Sequence, residues 1–291
     1  ISRGSIVGVV GESGCGKSTL ITSIIRQLDS NADIPNGSIE FEKQDLLKLS
    51  LDKMRNISGT KLSIVFQDPM STLNPVLSIG RQMIDIQYRD KISKKIKKQR
   101  SIDMLTKVGI PDPQSQLNQY PHELSGGMQQ RVSIAMALQA GPSLLIADEP
   151  TTALDATLEV QILKLLKELQ EEMGCSILFV SHHLGVIAEL CDHVIVMYAG
   201  EIVEQGSTYE IFNNPAHPYT VKLLECDPAS ISKKQRLLPS IPGEIPDLTN
   251  LSGGCIFKNR CDQSIDRCDK HTPKWNEFSN NHYVSCHLIE S

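Results

Sequence analysis

Residues 11–19, with the sequence GESGCGKST, constrain the fold of this chain more than any other feature. An apolar run over residues 6–10 precedes them, and residues 20–25 have apolar positions at helical spacing. Strand, glycine-rich loop and helix in this order predict a phosphate-binding loop, because glycines let backbone N–H groups converge on a polyphosphate. The helix dipole adds to the attraction. The alternative is a glycine-rich turn that matches by accident.

The composition is that of an ordinary globular protein. Of the 291 residues, 40% are hydrophobic and 22% are charged, which predicts one large domain, or one domain with an appendage. The net charge of −5 argues against nucleic acid as the main partner. A basic run over residues 91–100 leaves that possibility open locally, but Ile92 and Ile96 favour the solvated side of an amphipathic helix.

Three later apolar runs predict buried strands, and each one delivers polar side chains at its carboxyl end, where α/β sheets keep their sites. They are residues 62–66 before Gln67, residues 143–147 before Asp148 and Glu149, and residues 175–180 before His182. We expect Asp148 to bind Mg²⁺ and Glu149 to act as a general base on water. Gln67 is a candidate for sensing Mg²⁺ or the attacking water, and His182 for contacting a γ-phosphate. A plain polar residue at a strand end is the alternative for Gln67, and a surface histidine or a satisfied core histidine is the alternative for His182.

The remaining patterns complete an α/β protein of parallel strands and intervening helices. Residues 124–130 (LSGGMQQ) lead into a helix predicted over 131–140, with Ser125 as its cap and a second anion site at its start. Simple capping is the alternative. Residues 79–108 have a helical pattern, a strong helix ends at Gly174, and residues 200–206 predict a small hairpin.

Beyond residue 212 the chain becomes rich in proline and has no long periodic element, which predicts an appendage. We call residues 214–291 the C-terminal extension. Four of the eight cysteines cluster there, Cys255, Cys261, Cys268 and Cys286, with five, six and seventeen residues between them. Four thiols suffice for a [4Fe–4S] cluster or for tetrahedral Zn²⁺, and free thiols or adventitious disulfides are the alternatives.

These motifs together resemble the ATP-binding subunits of ABC transporters, over essentially the whole chain. Residues 11–19 match the Walker A loop, Gln67 the Q-loop, residues 124–128 the signature motif, and residues 144–148 the Walker B strand. Residues 153–155 match the D-loop and His182 the switch histidine. The resemblance implies a P-loop NTPase (ABC ATPase) core at 1–213, with a helical subdomain at about 70–140, and a small Cys-rich extension at 214–291.

The resemblance also assigns roles to individual residues. Catalytic roles fall to Glu149, His182 and Gln67, and Mg²⁺ binding to Ser18, Gln67 and Asp148. The implied ATP contacts are Gly11, Ser13, Gly14, Cys15, Gly16, Lys17, Ser18, Thr19, Ser125, Gly126, Gly127 and Asp155. Some relatives carry an iron–sulfur cluster, which favours [4Fe–4S] over Zn²⁺ at the four extension cysteines.

A narrower likeness points to the oligopeptide/dipeptide importer branch, as the D-type member of its two paired ATPases. The likeness to the branch rests on residues 66–70 (FQDPM), 148–155 (DEPTTALD), 217–220 (HPYT) and 254–257 (GCIF). The D-type assignment rests on Met128 and on residues 151–155 (TTALD). The implied function is ATP hydrolysis that powers peptide uptake across the cytoplasmic membrane. Import of nickel or another small solute, a soluble ABC ATPase of DNA maintenance, and a non-enzymatic metal or redox sensor are the alternatives.

The resemblance implies partners and a location as well. They are a homologous second ATPase subunit in a heterodimer, two transmembrane permease subunits and, indirectly, an extracytoplasmic substrate-binding protein, but no nucleic acid. The chain would lie peripherally on the cytoplasmic face of the cell membrane. Because residue 1 is Ile and lies one strand before the phosphate-binding loop, we also expect a preceding segment with an adenine-stacking aromatic residue.

Overall fold

The chain is organised in two units, each of which combines distant stretches of sequence. Unit 1 comprises Ile1–Gly4 and Ile21–Leu178, and unit 2 comprises Ser5–Leu20 and Phe179–Ser291. The computed structural model describes residues 1–152, 154–227, 239–249, 251 and 253–289. Ala153 of the predicted D-loop lies outside the described residues.

Strands and helices are interspersed along the described chain, as the sequence predicts for an α/β fold. The strands are β1 (Ile6–Val10), β2 (Glu40–Phe41), β3 (Gln44–Asp45), β4 (Leu62–Val65), β5 (Leu144–Asp148), β6 (Ser176–Val180), β7 (His193–Tyr198), β8 (Glu201–Ser207), β9 (Trp275–Ser279) and β10 (His282–Ser285). The helices are α1 (Lys17–Ile24), α2 (Leu51–Ile57), α3 (Pro69–Thr72), α4 (Ile79–Asp85), α5 (Lys94–Lys107), α6 (Pro113–Gln116), α7 (Gly126–Leu138), α8 (Ala156–Met173), α9 (Leu184–Leu190), α10 (Thr208–Asn213), α11 (Pro218–Glu225) and α12 (Asp266–Lys270).

Unit 1 contains a parallel pair of strands, β4 and β5, and a separate antiparallel pair, β2 and β3. Strand β4 pairs with β5, with Leu62 opposite Leu144 and Val65 opposite Ala147. The first residues of β6 extend the parallel pair on the other side of β5. Between β4 and β5 the chain forms helices α3 to α7 and no strand, which is consistent with the helical segment predicted at about 70–140.

The sheet of unit 2 begins parallel and ends antiparallel. Strand β1 pairs in parallel with β7, with Val7 opposite His193, and β8 then runs antiparallel to β7. Strands β10 and β9 continue the order, so that the sequence β1-β7-β8-β10-β9 runs across the unit. Every residue of β1 is buried, which agrees with its unbroken apolar run.

Polar side chains set the starts of many helices. Ser93 accepts from the Ile96 N–H at the start of α5, and Ser125 accepts from the Met128 N–H at the start of α7. Ser125 is thus the cap that the sequence predicts. The helix itself begins at Gly126, so it starts earlier than the predicted 131 and includes the two glycines.

The prediction of one continuous helical stretch over 79–108 is wrong in one respect. The structure divides this stretch into α4 and α5. The buried side chain of Gln87 fills the break, with its Nε2 donating to the Met83 and Lys97 carbonyls at 3.0 and 3.1 Å. Ile92 precedes α5 and Ile96 is 48% exposed, so neither forms the expected apolar face. The buried residues of α5 are Ser101 and Leu105.

The hairpin predicted within residues 200–206 has a different partner. Residues 201–206 belong to one strand, β8, which pairs with the preceding β7 through a turn at Ala199 and Gly200. Strand β8 is therefore the second strand of a longer hairpin, whose first strand is β7.

The C-terminal extension contributes to the sheet of unit 2. Strand β10 pairs with β8, with Val284 opposite Glu204, and β9 pairs with β10. Its short segments thus gain order by adding to strands that the rest of the unit supplies. The domain boundaries at 1–213 and 214–291 stay a prediction.

No helix among the described residues is both long enough and apolar enough to cross a membrane.

The predicted end of α8 at Gly174 is confirmed, and it generates a stability prediction. Gly174 has φ 63°, and its N–H donates to the Gln170 carbonyl. We expect Gly174→Ala to lower the free energy of unfolding by about 1–2 kcal/mol, because a Cβ is disfavoured in left-handed backbone. Gly185→Ala is the matched control, since its added Cβ meets open space in α9. Thermal unfolding compares the two variants, and an equal effect would contradict the prediction.

Candidate functional site

The phosphate-binding loop lies in unit 2, between the buried strand β1 and the start of α1. Gly11 is required by close approach, since a Cβ there would lie 2.1 Å from the Met197 carbonyl oxygen. Lys17 is only 7% exposed. Its Nζ donates to the carbonyls of Gly11 and Glu12 at 2.8 and 3.1 Å. The ammonium is thus held at the loop whose N–H groups are expected to bind phosphates.

Cys15 packs beneath this loop. It is fully buried, and burial raises the pKa of its thiol, although the nearby Lys17 ammonium opposes the shift. The Cys15 carbonyl accepts from the Gly200 N–H at 2.9 Å. Its backbone is therefore the part available to a ligand, while its side chain serves packing.

Two predicted catalytic residues meet at the strand ends of unit 1. Gln67 follows β4 and Glu149 follows β5, and the Gln67 Nε2 donates to the Glu149 Oε2 at 3.3 Å. Thr152 Oγ1 donates to the same carboxylate oxygen at 3.1 Å. Sequence reasoning gave Thr152 no role, although its position three residues after Glu149 is a signal for such a turn contact.

Glu149 also has unusual backbone geometry. Its φ is 45°, in the left-handed region that non-glycine residues rarely adopt. Such strain is concentrated at functional sites, where the surrounding structure holds it in place. The Thr152 backbone helps to hold this conformation of Glu149, because its N–H donates to the Glu149 carbonyl at 3.3 Å. The strained residue lies immediately after Asp148, which is the last residue of β5.

The signature residues form an exposed helix start in unit 1. Ser125 and Gly126 are exposed, whereas Gly127 is buried against α8, where an added Cβ would lie 3.1 Å from Leu158 Cδ1. The Gln129 side chain holds the preceding segment by donating to the Pro121 and Leu124 carbonyls. The N-terminus of α7 is thus presented on a rigid support.

Asp155 acts as the N-cap of α8. Its Oδ1 accepts from the N–H groups of Thr157 and Leu158, both at 3.0 Å. The side chain is otherwise exposed. The structure therefore shows that Asp155 starts the helix. The ATP contact that the family resemblance implies for Asp155 stays a prediction.

His182 follows β6 in unit 2. The preceding Ser181 is buried, and its Oγ accepts from the His183 N–H at 3.0 Å. The exposed His182 ring makes an edge contact with the His183 ring, with centroids 4.7 Å apart. The turn thus places His182 at the strand end, as predicted.

The predicted Mg²⁺ ligands supply a hydroxyl, an amide oxygen and a carboxylate. Hard cations such as Mg²⁺ prefer oxygen ligands of these kinds, so the residue types fit the ion. Ser18 belongs to unit 2, and Gln67 and Asp148 belong to unit 1.

The four extension cysteines lie close together in unit 2. The Cys255 N–H donates to the Cys268 carbonyl at 2.7 Å, and Gly254 is required there because a Cβ would lie 2.2 Å from that oxygen. Burial raises the pKa of Cys255 to about 11, and the Cys268, Cys286 and Cys261 thiols add to the rise. None of these four cysteines forms a disulfide bond.

The side chains of these four cysteines are not arranged as a metal coordination shell. Within the described part of the chain, no group of three or more His, Cys, Asp or Glu side chains is placed to hold a metal ion. The donor types fit iron or zinc, and three of the four thiols are buried, but the structure does not show the metal site that the sequence predicts.

Comparison with known protein families supplies the identification. Residues 1–152 match the family model described as ABC transporter. The chain belongs to this family. It is an ABC-type ATPase, so ATP is its substrate and Mg²⁺ its accompanying ion. Residues 203–268 match a second model, described as the oligopeptide/dipeptide transporter C-terminal region.

Two peptide-transport ATP-binding proteins are similar to this chain over nearly its whole length. It is 45% identical to the oligopeptide transport ATP-binding protein OppD of Bacillus subtilis, over 99% of this chain and 81% of that protein. It is 43% identical to the dipeptide transport ATP-binding protein DppD of Escherichia coli, over 99% of this chain and 88% of that protein.

Solved structures confirm the ABC ATPase fold. The ATP-binding cassette MJ0796, in a dimeric post-hydrolysis state bound to ADP and Pi, is 30% identical with a TM-score of 0.63, over 72% of this chain and 87% of that chain. The cbiO1 protein of Clostridium perfringens is 31% identical with a TM-score of 0.64, over 74% of this chain and 81% of that chain.

Proposed function

We propose that the chain is the ATP-hydrolysing subunit of an ABC importer for di- and oligopeptides. The observation that carries this proposal is the match of residues 203–268 to the oligopeptide/dipeptide transporter C-terminal region, in the same chain as an ABC ATPase. The names of OppD and DppD, which this chain matches over 99% of its length, support the same substrate class. No observation favours nickel uptake or DNA maintenance over peptide import.

The proposed chemistry is attack of water on the γ-phosphate of ATP. Lys17 would neutralise phosphate charge, and Ser18 and Asp148 would hold Mg²⁺, which neutralises further charge when bound. Glu149 would accept the proton of the attacking water, held for that task by Gln67 and Thr152. His182 would stabilise the transition state. The contacts among Gln67, Glu149 and Thr152 support this division of roles.

The signature residues are proposed to serve the site of a second ATPase subunit. The exposed start of α7, with Ser125 and Gly126, can donate N–H groups to an anion on another chain. The related MJ0796 cassette forms a dimer, which supports the pairing. We propose a homologous but different partner, two transmembrane permease subunits, a substrate-binding protein acting indirectly, and a peripheral location on the cytoplasmic face of the membrane.

Peptide uptake tests the proposed substrate class. We expect the chain, assembled with its permease and partner subunits in liposomes, to drive accumulation of a labelled tripeptide when ATP is present with the chain. Labelled nickel in the same vesicles is the control solute. Accumulation of nickel but not of peptide would contradict the proposal.

The role of Glu149 has its own test. Glu149→Gln keeps the shape and the hydrogen-bond acceptor but removes the base, so we expect ATP binding to persist while steady-state turnover falls by roughly 10²–10⁴-fold. The matched control is Glu168→Gln, since Glu168 is exposed on α8 and pairs only loosely with Lys164, at 3.8 Å. Near-normal turnover in the assembled Glu149→Gln complex would exclude this role.

We further infer that Cys255, Cys261, Cys268 and Cys286 hold a [4Fe–4S] cluster, with Zn²⁺ as the alternative. The approach of the four thiols and their mutual effect on the pKa of Cys255 support the inference. The extension has short elements and little core of its own, so a metal would supply cross-links there. We expect the role to be structural.

Metal analysis after anaerobic purification decides between these occupants. We expect brown protein with about four irons and matching sulfide per chain, in line with four-cysteine ligation. Cys268→Ser should lose the colour, and Cys226→Ser, which changes a half-buried cysteine outside the cluster, should keep it. Colourless protein that contains neither iron nor zinc would refute the metal site.

A further inference from the structure

An arginine of the C-terminal extension contacts the phosphate-binding loop. Arg260 ends a 3₁₀ turn, Lys258–Arg260, directly before Cys261. Its Nη1 donates to the Glu12 Oε2 at 2.7 Å, and its Nη2 donates to the Glu12 Oε1 at 3.0 Å. Both residues belong to unit 2. This two-point contact is the strong, directional form of an arginine–carboxylate pair.

The guanidinium is held from other directions as well. Its Nε donates to the Pro242 carbonyl at 2.9 Å, and its Nη2 also donates to the Ile241 carbonyl at 3.1 Å. Nη1 lies 3.4 Å from the Tyr198 hydroxyl. The side chain is only 4% exposed, so its position is fixed by these contacts and leaves little room for solvent.

Glu12 is the point at which the extension acts on the loop. Its carbonyl accepts from the Lys17 Nζ at 3.1 Å and from the Cys15 N–H at 3.2 Å. Its own N–H donates to the Tyr219 hydroxyl at 2.9 Å. The side chain and the backbone of Glu12 are therefore both held from outside the loop, while the same residue positions the proposed phosphate-binding lysine.

Tyr219 comes from α11, in the extension, and is fully buried. Its ring packs against Tyr198 and Phe257, with centroid distances of 4.7 and 5.4 Å. Phe257 lies three residues before Arg260. The same aromatic cluster thus positions both groups that reach Glu12.

The contact between Arg260 and Glu12 has an electrostatic consequence for nucleotide binding. An uncompensated carboxylate within the phosphate-binding loop would repel a polyphosphate, and the repulsion would be strong in a partly buried site. We propose that Arg260 is a positioning residue for nucleotide binding, which neutralises Glu12 and, with the Tyr219 hydroxyl, holds the loop in its binding shape. The inference rests on the proposed role of the loop in binding ATP.

The test measures binding of the fluorescent analogue TNP-ATP with Mg²⁺ to the full chain, and the KM and kcat for ATP of the assembled complex. We expect Arg260→Gln to weaken binding about tenfold or more and to raise KM with a smaller change in kcat. Arg260→Lys should be intermediate, because it keeps the charge but not the two-point geometry. The matched control is Arg81→Gln, which breaks an exposed pair with Asp85.

A second change separates charge from simple loss of structure. Adding Glu12→Gln to Arg260→Gln removes the uncompensated carboxylate, so we expect the double variant to bind TNP-ATP more tightly than Arg260→Gln alone. Tyr219→Phe removes only the hydroxyl and should weaken binding several-fold, which keeps the test decisive if Arg260→Gln fails to fold. Unchanged binding in both Arg260→Lys and Tyr219→Phe, or no recovery in the double variant, would overturn the inference.

Lys17→Ala distinguishes this inference from the proposed function. Normal binding of TNP-ATP by Lys17→Ala would show that the proposed role of the loop fails. Loss of binding in Lys17→Ala, with normal binding in the Arg260 and Tyr219 variants, would leave that role intact and reject only the positioning by the extension.

Discussion

A buried carboxylate holds the C-terminal extension to the sheet of unit 2. Glu204 on β8 is 0% exposed and accepts from the N–H groups of Ala216 and His217 at 2.7 and 3.0 Å. The Nε2 of His282 on β10 lies 2.6 Å from the same side chain. Removing a hydrogen-bond partner from a buried polar group leaves that group unsatisfied, at a cost of about 1–3 kcal/mol. Strand β8, the start of the extension and β10 therefore stay together.

This attachment brings the extension within reach of the phosphate-binding loop. Once β10 is paired with β8, the turn that ends at Arg260 and the helix that carries Tyr219 converge on Glu12. An appendage defined by its proline-rich sequence is thus in direct contact with the loop that follows β1.

Local sequence was sufficient wherever one short segment carries its own physical cause. The apolar residues of β1 and the glycines at 11–19 define strand and loop by sterics alone, and Gly174 ends α8 because it adopts φ 63° without strain. The sequence placed Gln67 and Glu149 at strand ends, but their contact also required the parallel pairing of β4 with β5, which brings the two carboxyl ends to one sheet edge. The strained backbone of Glu149 has no such local signal.

The sequence by itself determined the strand, loop and helix over residues 6–24, the carboxylates at the end of β5 and the α/β class, because each depends on residues close together in the chain. Only the tertiary structure decided the break at Gln87, the partner of β8, and the Glu12–Arg260 pair, whose members are 248 positions apart. A hydrogen bond or ion pair between distant residues depends on where packing places both groups. No periodicity or spacing within a single segment encodes that placement.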